Sequence, residues 1–250
     1  MEKFTTDAIT LRSYNLSESD KIIVMYSKDK GLLRCVAKGA KKPSSKIGSC
    51  FDSLIASQVL ISKGKKLDVI DQSQGINTFS ALRKDFGKLS YAMYCADIIN
   101  AFSIEDDLGS TEIYDLFYNT LKAISASKNK LNSVLCVTKF QMNIMEILGY
   151  GLELNNCTRC LCPIGSSAVL SKESGGVICP ACAAEFNNQI SIKLINFLKK
   201  ISGADFENKY FVDETLKNEL TIMYCFNWLK DYIQMRSPKK LKAQSLLDIV

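Results

Sequence analysis

Two pairs of cysteines set the chemistry open to this sequence. Cys157-Thr158-Arg159-Cys160 is followed, after eighteen residues, by Cys179-Pro180-Ala181-Cys182. A two-residue spacer lets one tight turn aim both sulfurs at a single ion. Two such pairs complete a tetrahedral thiolate shell with metal–sulfur bonds of about 2.3 Å. Four thiolates leave no position for water, so the spacing predicts one structural zinc and no catalytic metal. Gly175-Gly176 precedes the second pair and permits the bend that returns the chain to the first. Cys162 is a further thiol two residues after Cys160; it is read as a bystander because the symmetric pairs close the shell. Cys35, Cys50, Cys95, Cys136 and Cys225 stand alone in apolar surroundings and read as buried thiols.

The other reactive side chains exclude more than they offer. The sequence has no histidine, so Ser–His–Asp triads, Cys–His pairs and imidazole-ligated metals are all ruled out. Glu153, Glu173 and Glu185 have no ligand spacing relative to the cysteines. No phosphate-binding glycine loop is present, and Gly149-Tyr150-Gly151 reads as a helix exit. Glu105-Asp106-Asp107 reads as a solvated acidic loop. Nothing argues for an active site, and the expectation is a protein that is not an enzyme. The first ten residues do not read as a signal peptide, and no run of eighteen apolar residues suggests a spanning helix. A reducing, cytoplasmic location is expected.

Charge is concentrated early. Of 250 residues, with a net charge of +6, the stretch from Lys28 to Lys66 holds ten basic residues against two acids. Such a segment attracts polyanions. Arg34, Lys38, Lys41, Lys42, Lys46, Lys63, Lys65 and Lys66 are the candidate phosphate contacts. The alternative is a solvated, lysine-rich loop. Tyr14, Tyr26 and Phe51 fall in the same region; they suit either base stacking or a core. A second basic stretch, Arg236 to Lys242, reads as a frayed end or a further contact.

These side chains need positioning, and the pattern supplies it. The first ~75 residues read as five short strands with close turns: Ala8–Tyr14, Lys21–Tyr26, Leu32–Ala37, Leu54–Ser62 and Leu67–Asp71. That count suggests a small closed barrel, OB-type or SH3-like. From about Phe79 the period becomes helical. Leu82, Phe86, Leu89, Met93 and Ala96 form one stripe, and Ile113, Leu116, Phe117, Leu121 and Ile124 another, with Ser110 or Thr111 as N-cap. A third helix runs from about Ser133 to Leu148, with Gly149 suited to its end. After the cysteines, Ile192, Ile195, Leu198 and Ile201 form a stripe, and Leu216, Leu220, Met223 and Leu229 another, capped by Asp213. The expected division is barrel 1–78, helices 79–155, a four-cysteine module 156–186, and helices with a basic tail 187–250.

In order and spacing the whole chain resembles the RecO family of bacterial DNA repair and recombination mediators. The resemblance is carried by Ser17-Glu18-Ser19-Asp20-Lys21-Ile22, Lys30-Gly31-Leu32, and the segment Ala37-Lys38-Gly39-Ala40-Lys41-Lys42-Pro43-Ser44-Ser45. It continues from Phe140 through Leu148-Gly149-Tyr150 and Leu154 into the first cysteine pair, and from Gly175-Gly176-Val177-Ile178 into the second. Leu241-Lys242-Ala243-Gln244-Ser245-Leu246-Leu247 resembles the family's ending, with Ala243 where a serine is usual. The resemblance implies an α+β multidomain protein: a five-stranded OB-type barrel, then a helical domain with an inserted four-cysteine zinc module. It implies binding of single- and double-stranded DNA, annealing of complementary strands, and help in loading RecA in the RecF pathway. The implied partners are RecR and the C-terminal tail of single-stranded DNA-binding protein, with no membrane and a nucleoid-associated location. Lys199, Lys200, Lys217 and Lys230 are the cations available to such a tail. The competing reading is a zinc-containing adaptor that binds proteins and not DNA.

Overall fold

The computed structural model describes residues 2–42, 51–104, 110–183, 189–203 and 219–249. The chain forms two compact units. The first contains Met1–Ser127 and Pro238–Val250, and the second Lys128–Ser237.

The first unit starts with five strands, β1 (Lys3–Asn15), β2 (Lys21–Ser27), β3 (Gly31–Ala37), β4 (Ala56–Ser62) and β5 (Asp68–Asn77). They close a barrel in the order β1-β2-β3-β5-β4, with β4 pairing back onto β1. The pairs are antiparallel except β3 with β5, which run parallel through Cys35–Asp68 and Val36–Val69. This is the five-stranded OB arrangement. Alternation along the strands sends Ala8, Ile23, Met25, Leu33, Cys35, Val59, Ile61 and Ile70 inward, and Phe51 plugs the same core. β1 and β5 extend beyond the spans read from the sequence because their ends pair on partners that local alternation does not reveal.

Three helices follow, α1 (Ser80–Arg83), α2 (Phe86–Phe102) and α3 (Ser110–Ala126). The stripe expected from Leu82 to Ala96 is corrected in part, since Leu82 and Ala96 are buried but the helix is not continuous. The helix breaks at Lys84-Asp85, where Asp85 restarts it by accepting the Lys88 N–H at 3.0 Å. Phe86 is 56% exposed, whereas Tyr91, Ala92, Tyr94, Cys95, Ile98 and Ile99 are buried. α2 packs against β1, α3 and the 238–249 segment, so it is apolar on several sides and shows no single stripe. Ser110 and Thr111 do not cap α3: both hydroxyls donate to the Lys28 carbonyl, at 2.7 and 3.0 Å, tying the helix to the β2–β3 turn. Lys28 Nζ adds an ion pair to Asp115 at 3.0 Å. The tail is not frayed. Leu241 and Ala243 are buried, the Ala243 N–H donates to Asp97 at 3.0 Å, and a short α7 (Gln244–Leu247) packs on α2.

The second unit contains α4 (Lys130–Ile147), α5 (Ile192–Ser202) and α6 (Glu219–Arg236). Asn129 caps α4 by accepting the Asn132 N–H, and Gly149 follows its end at φ +79°. α4 packs on α5 and α6. Ile195, Leu198 and Ile201 are buried as expected. The last stripe is corrected in part: Leu229 is buried as expected, but Leu220 is 88% exposed, and Ile222, Cys225, Phe226, Trp228, Tyr232 and Ile233 complete the buried set. The apolar side is rotated because α6 meets α4 through Phe226, whose carbonyl accepts from Gln141 Nε2 at 3.4 Å. Leu216, Lys217 and Asp213 lie outside the described residues. Between α4 and α5 is a three-stranded sheet of order β7-β6-β8, from β6 (Ser167–Ser171), β7 (Gly176–Ile178) and β8 (Gln189–Ser191). Sequence reading missed it, since three-residue strands carry no detectable period.

The compact units cut the chain elsewhere than the composition-based boundaries at 78, 155 and 186. α2 and α3 fold with the barrel because they pack on its strands, and α1 and the tail join them by packing on those helices. Cys35, Cys95, Cys136 and Cys225 are buried thiols, as expected. Cys50, Glu105, Asp106, Asp107 and Glu185 lie outside the described residues.

Candidate metal centre and nucleic-acid interface

Each cysteine pair is shaped by backbone hydrogen bonds. In the first, the Leu161 N–H donates to the Cys157 carbonyl at 2.9 Å and the Cys157 N–H to the Cys162 carbonyl at 2.8 Å. Leu161 closes this turn at φ +61°. In the second, the N–H groups of Cys182 and Ala183 both donate to the Cys179 carbonyl. β7 joins the pairs, with the Thr158 N–H donating to the Val177 carbonyl at 2.9 Å. Gly176 is required there, because a Cβ at that position would run into the Glu153 carbonyl. Arg159 spans the gap, its Nη1 donating to the Cys182 carbonyl at 2.8 Å.

The result brings all four expected ligands together. The sulfurs of Cys157, Cys160, Cys179 and Cys182 all lie within 4.8 Å of one another. A tetrahedron with 2.3 Å bonds has sulfur–sulfur edges of about 3.8 Å; Cys160 and Cys179 are 3.7 Å apart. The four cysteines can hold a metal ion. Burial alone would push the Cys157 thiol up, but N–H groups of Cys160, Cys179 and Arg159 outweigh it and hold it at about 6. Cys182 is pushed up to about 12, first by its hydrogen bonds to the Cys160 and Cys179 sulfurs. Cys162 stands outside the set of four, yet its sulfur is 3.3 Å from that of Cys160.

The basic candidates fall on two turns and one strand. Arg34 is exposed on β3. Lys38, Lys41 and Lys42 are exposed on the turn after β3. Two contacts fix this turn: the Gly39 N–H donates to Asp20 Oδ1 at 2.8 Å, and Lys41 Nζ donates to the Ser17 carbonyl at 3.1 Å. The Gly39 N–H, then Ser19, hold the Asp20 carboxyl below the usual aspartate value. Lys63, Lys65 and Lys66 are exposed on the β4–β5 turn. Arg34 and Leu67 each immediately precede the Cys35–Asp68 pair, so this turn enters the barrel beside Arg34. Lys63 is engaged with Asp68 at 3.3 Å and lies over the Phe4 ring, which leaves it a weaker candidate than its neighbours. Lys46 lies outside the described residues. Of the aromatics, Tyr26 and Phe51 are core, while Tyr14 is 46% exposed. Sequence reading missed Arg12, which β2 places in line with Arg34; the signal was its outward place in the β1 alternation.

Together, the barrel and the cysteine cluster define an OB-barrel protein with basic turns and a thiolate centre in a separate helical unit. Residues 1–79 match the family described as Recombination protein O N terminal, and residues 83–244 match Recombination protein O C terminal. The chain therefore belongs to the RecO family of DNA repair proteins. It is similar to the DNA repair protein RecO of Desulforamulus reducens, 28% identical over 99% of this chain and 95% of the relative. It is also similar to the RecO proteins of Pelotomaculum thermopropionicum, 24% identical over 99% and 94%, and of Dehalococcoides mccartyi strain 195, 30% identical over 83% and 81%. Among the described residues no helix is long and apolar enough to cross a membrane.

Proposed function

We propose that this chain is a non-enzymatic recombination mediator that binds single- and double-stranded DNA on its barrel. The observation that carries the proposal is the exposure of Arg34, Lys38, Lys41, Lys42, Lys65 and Lys66 on one strand and two turns of the OB barrel. Lysines so placed neutralise phosphates and release counterions, which gives affinity without a sequence code. Annealing follows from the same surface. Two strands held on fixed cations repel each other less and meet at raised local concentration. No nucleotide hydrolysis is needed for that step.

Family membership supports the remaining assignments. We assign RecR and the tail of single-stranded DNA-binding protein as partners, with RecA receiving the strand downstream in the RecF pathway, at the nucleoid. Of the cations first considered for an acidic tail, Lys199 and Lys200 lie on α5 and Lys230 on α6. We assign zinc to the four cysteines and give it a structural role, since the thiolates fill a tetrahedron and leave no place for water. The reading is tested by titrating the full chain with single-stranded and duplex DNA at several salt concentrations. Affinity that falls steeply with salt supports it. Absence of binding at low salt would leave the protein-binding adaptor.

A further inference from the structure

Cations from three distant parts of the chain lie toward one outer face of the barrel. Arg12 on β1 and Arg34 on β3 both pair with Val24 on β2, so they point the same way across two strand spacings, about 10 Å. Lys239 reaches the same neighbourhood from the 238–249 segment. Its Nζ donates to the Asn100 carbonyl at 2.7 Å, and buried Leu241 and Ala243 hold the segment down. Burial first, and then the charge of Arg12, with Arg34 adding to it, holds the Lys239 ammonium below the usual lysine value; Asp97 partly offsets them. That carboxylate is itself engaged by the Ala243 N–H. Among the described residues neither Arg12 nor Arg34 has an ion-pair partner, and Arg12 Nε is buried without a hydrogen bond.

The row beside these cations is apolar. Tyr14, Ile22 and Val36 pair across β1, β2 and β3, with Tyr14 exposed and the other two half-buried. The Arg12 guanidinium lies over the Tyr14 ring at 5.2 Å, which fixes both groups. Cations next to an exposed aromatic ring are the arrangement that takes a phosphate backbone with an unpaired base.

We infer that Arg12, Arg34 and Lys239 form one composite site for the phosphates of a single nucleic-acid strand, with Tyr14 as the platform for a base. The inference rests on the DNA-binding reading and adds to it residues outside the basic 28–66 segment. It makes the 238–249 segment part of the strand-binding face. Like charges gathered this closely repel, and a bound phosphodiester relieves that repulsion.

The test uses the full chain and a labelled oligo-dT, with affinity measured against salt. No binding by the unaltered protein would overturn the DNA reading itself, whatever the variants do. Given binding, Lys239→Gln and Arg12→Gln each flatten the log–log salt slope by about 0.7, the value for one lost single-strand contact. Lys239→Arg restores the slope. Tyr14→Ala weakens oligo-dT binding about fivefold or more and spares duplex, whose bases are already stacked. Should Lys239→Gln lower the melting temperature, Arg34→Gln replaces it, an exposed strand position without hydrogen bonds to the segment. An unchanged slope in Arg34→Gln and Arg12→Gln, or equal losses for duplex and single strand in Tyr14→Ala, overturns the proposal.

Discussion

At the residue scale, the cysteine cluster makes the sharpest demand. Cys160 is exposed and contributes one of four sulfurs within 4.8 Å, so its loss opens the shell without emptying a large core. Metal analysis should find one zinc per chain in the unaltered protein and none in Cys160→Ser, whose melting temperature should also fall. Retention of a full equivalent of zinc would transfer that ligand position to Cys162, 3.3 Å away. Asp20 makes a pH-dependent demand. Its folded value is depressed, so its contribution is present above the ordinary aspartate range and disappears as pH falls through the folded value. The Gly39 amide shift should therefore titrate with a midpoint below 3.8, and Asp20→Asn should abolish that titration. The metal ligands were legible in the sequence because C-x2-C spacing is local. Arg12 was not, because its partners Arg34 and Lys239 are distant in sequence and meet only through strand register and the returning segment.

At the scale of elements, the turn after β3 and helix α6 carry separable predictions. Lys41→Glu with Lys42→Glu should weaken DNA binding alike across sequences and flatten the salt slope by about one per lost contact. Filter binding against several oligonucleotides checks this; sequence-dependent losses would argue for base contacts instead. In α6, Phe226 is buried and Leu220 is 88% exposed. Phe226→Ala should cost about 3–5 kcal/mol by denaturant unfolding, whereas Leu220→Ser should stay within about 0.5 kcal/mol. The five strands could be read from alternation because each has one inward face. α2 misled the same reasoning: packed on several sides, it has apolar residues nearly all round, and a face cannot be picked from such a pattern. The α6 stripe failed differently. Two registers of apolar residues are available on that helix, and only packing against α4 selects between them.

At the scale of the whole molecule, we expect the barrel not to fold alone when cut free at residue 78. Tyr26 and Leu32 are buried, and α2 and α3 pack on the barrel's outer face. A fragment ending at residue 78 should expose that face and show no cooperative unfolding transition. A fragment joining residues 1–127 to 238–250 through a flexible linker should show one. Equal cooperativity in the two would mean that the barrel core suffices alone.

The return of the chain at Pro238 also orders events during synthesis. Residues 128–237 leave the ribosome before the segment that seats Leu241 and Ala243 against α2. The helical unit is therefore made while its predecessor is still unfinished, and a prematurely terminated product keeps an uncovered apolar patch on α2. Such a product lacks Lys239 as well. One short stretch of chain thus both covers α2 and carries the third cation of the proposed site.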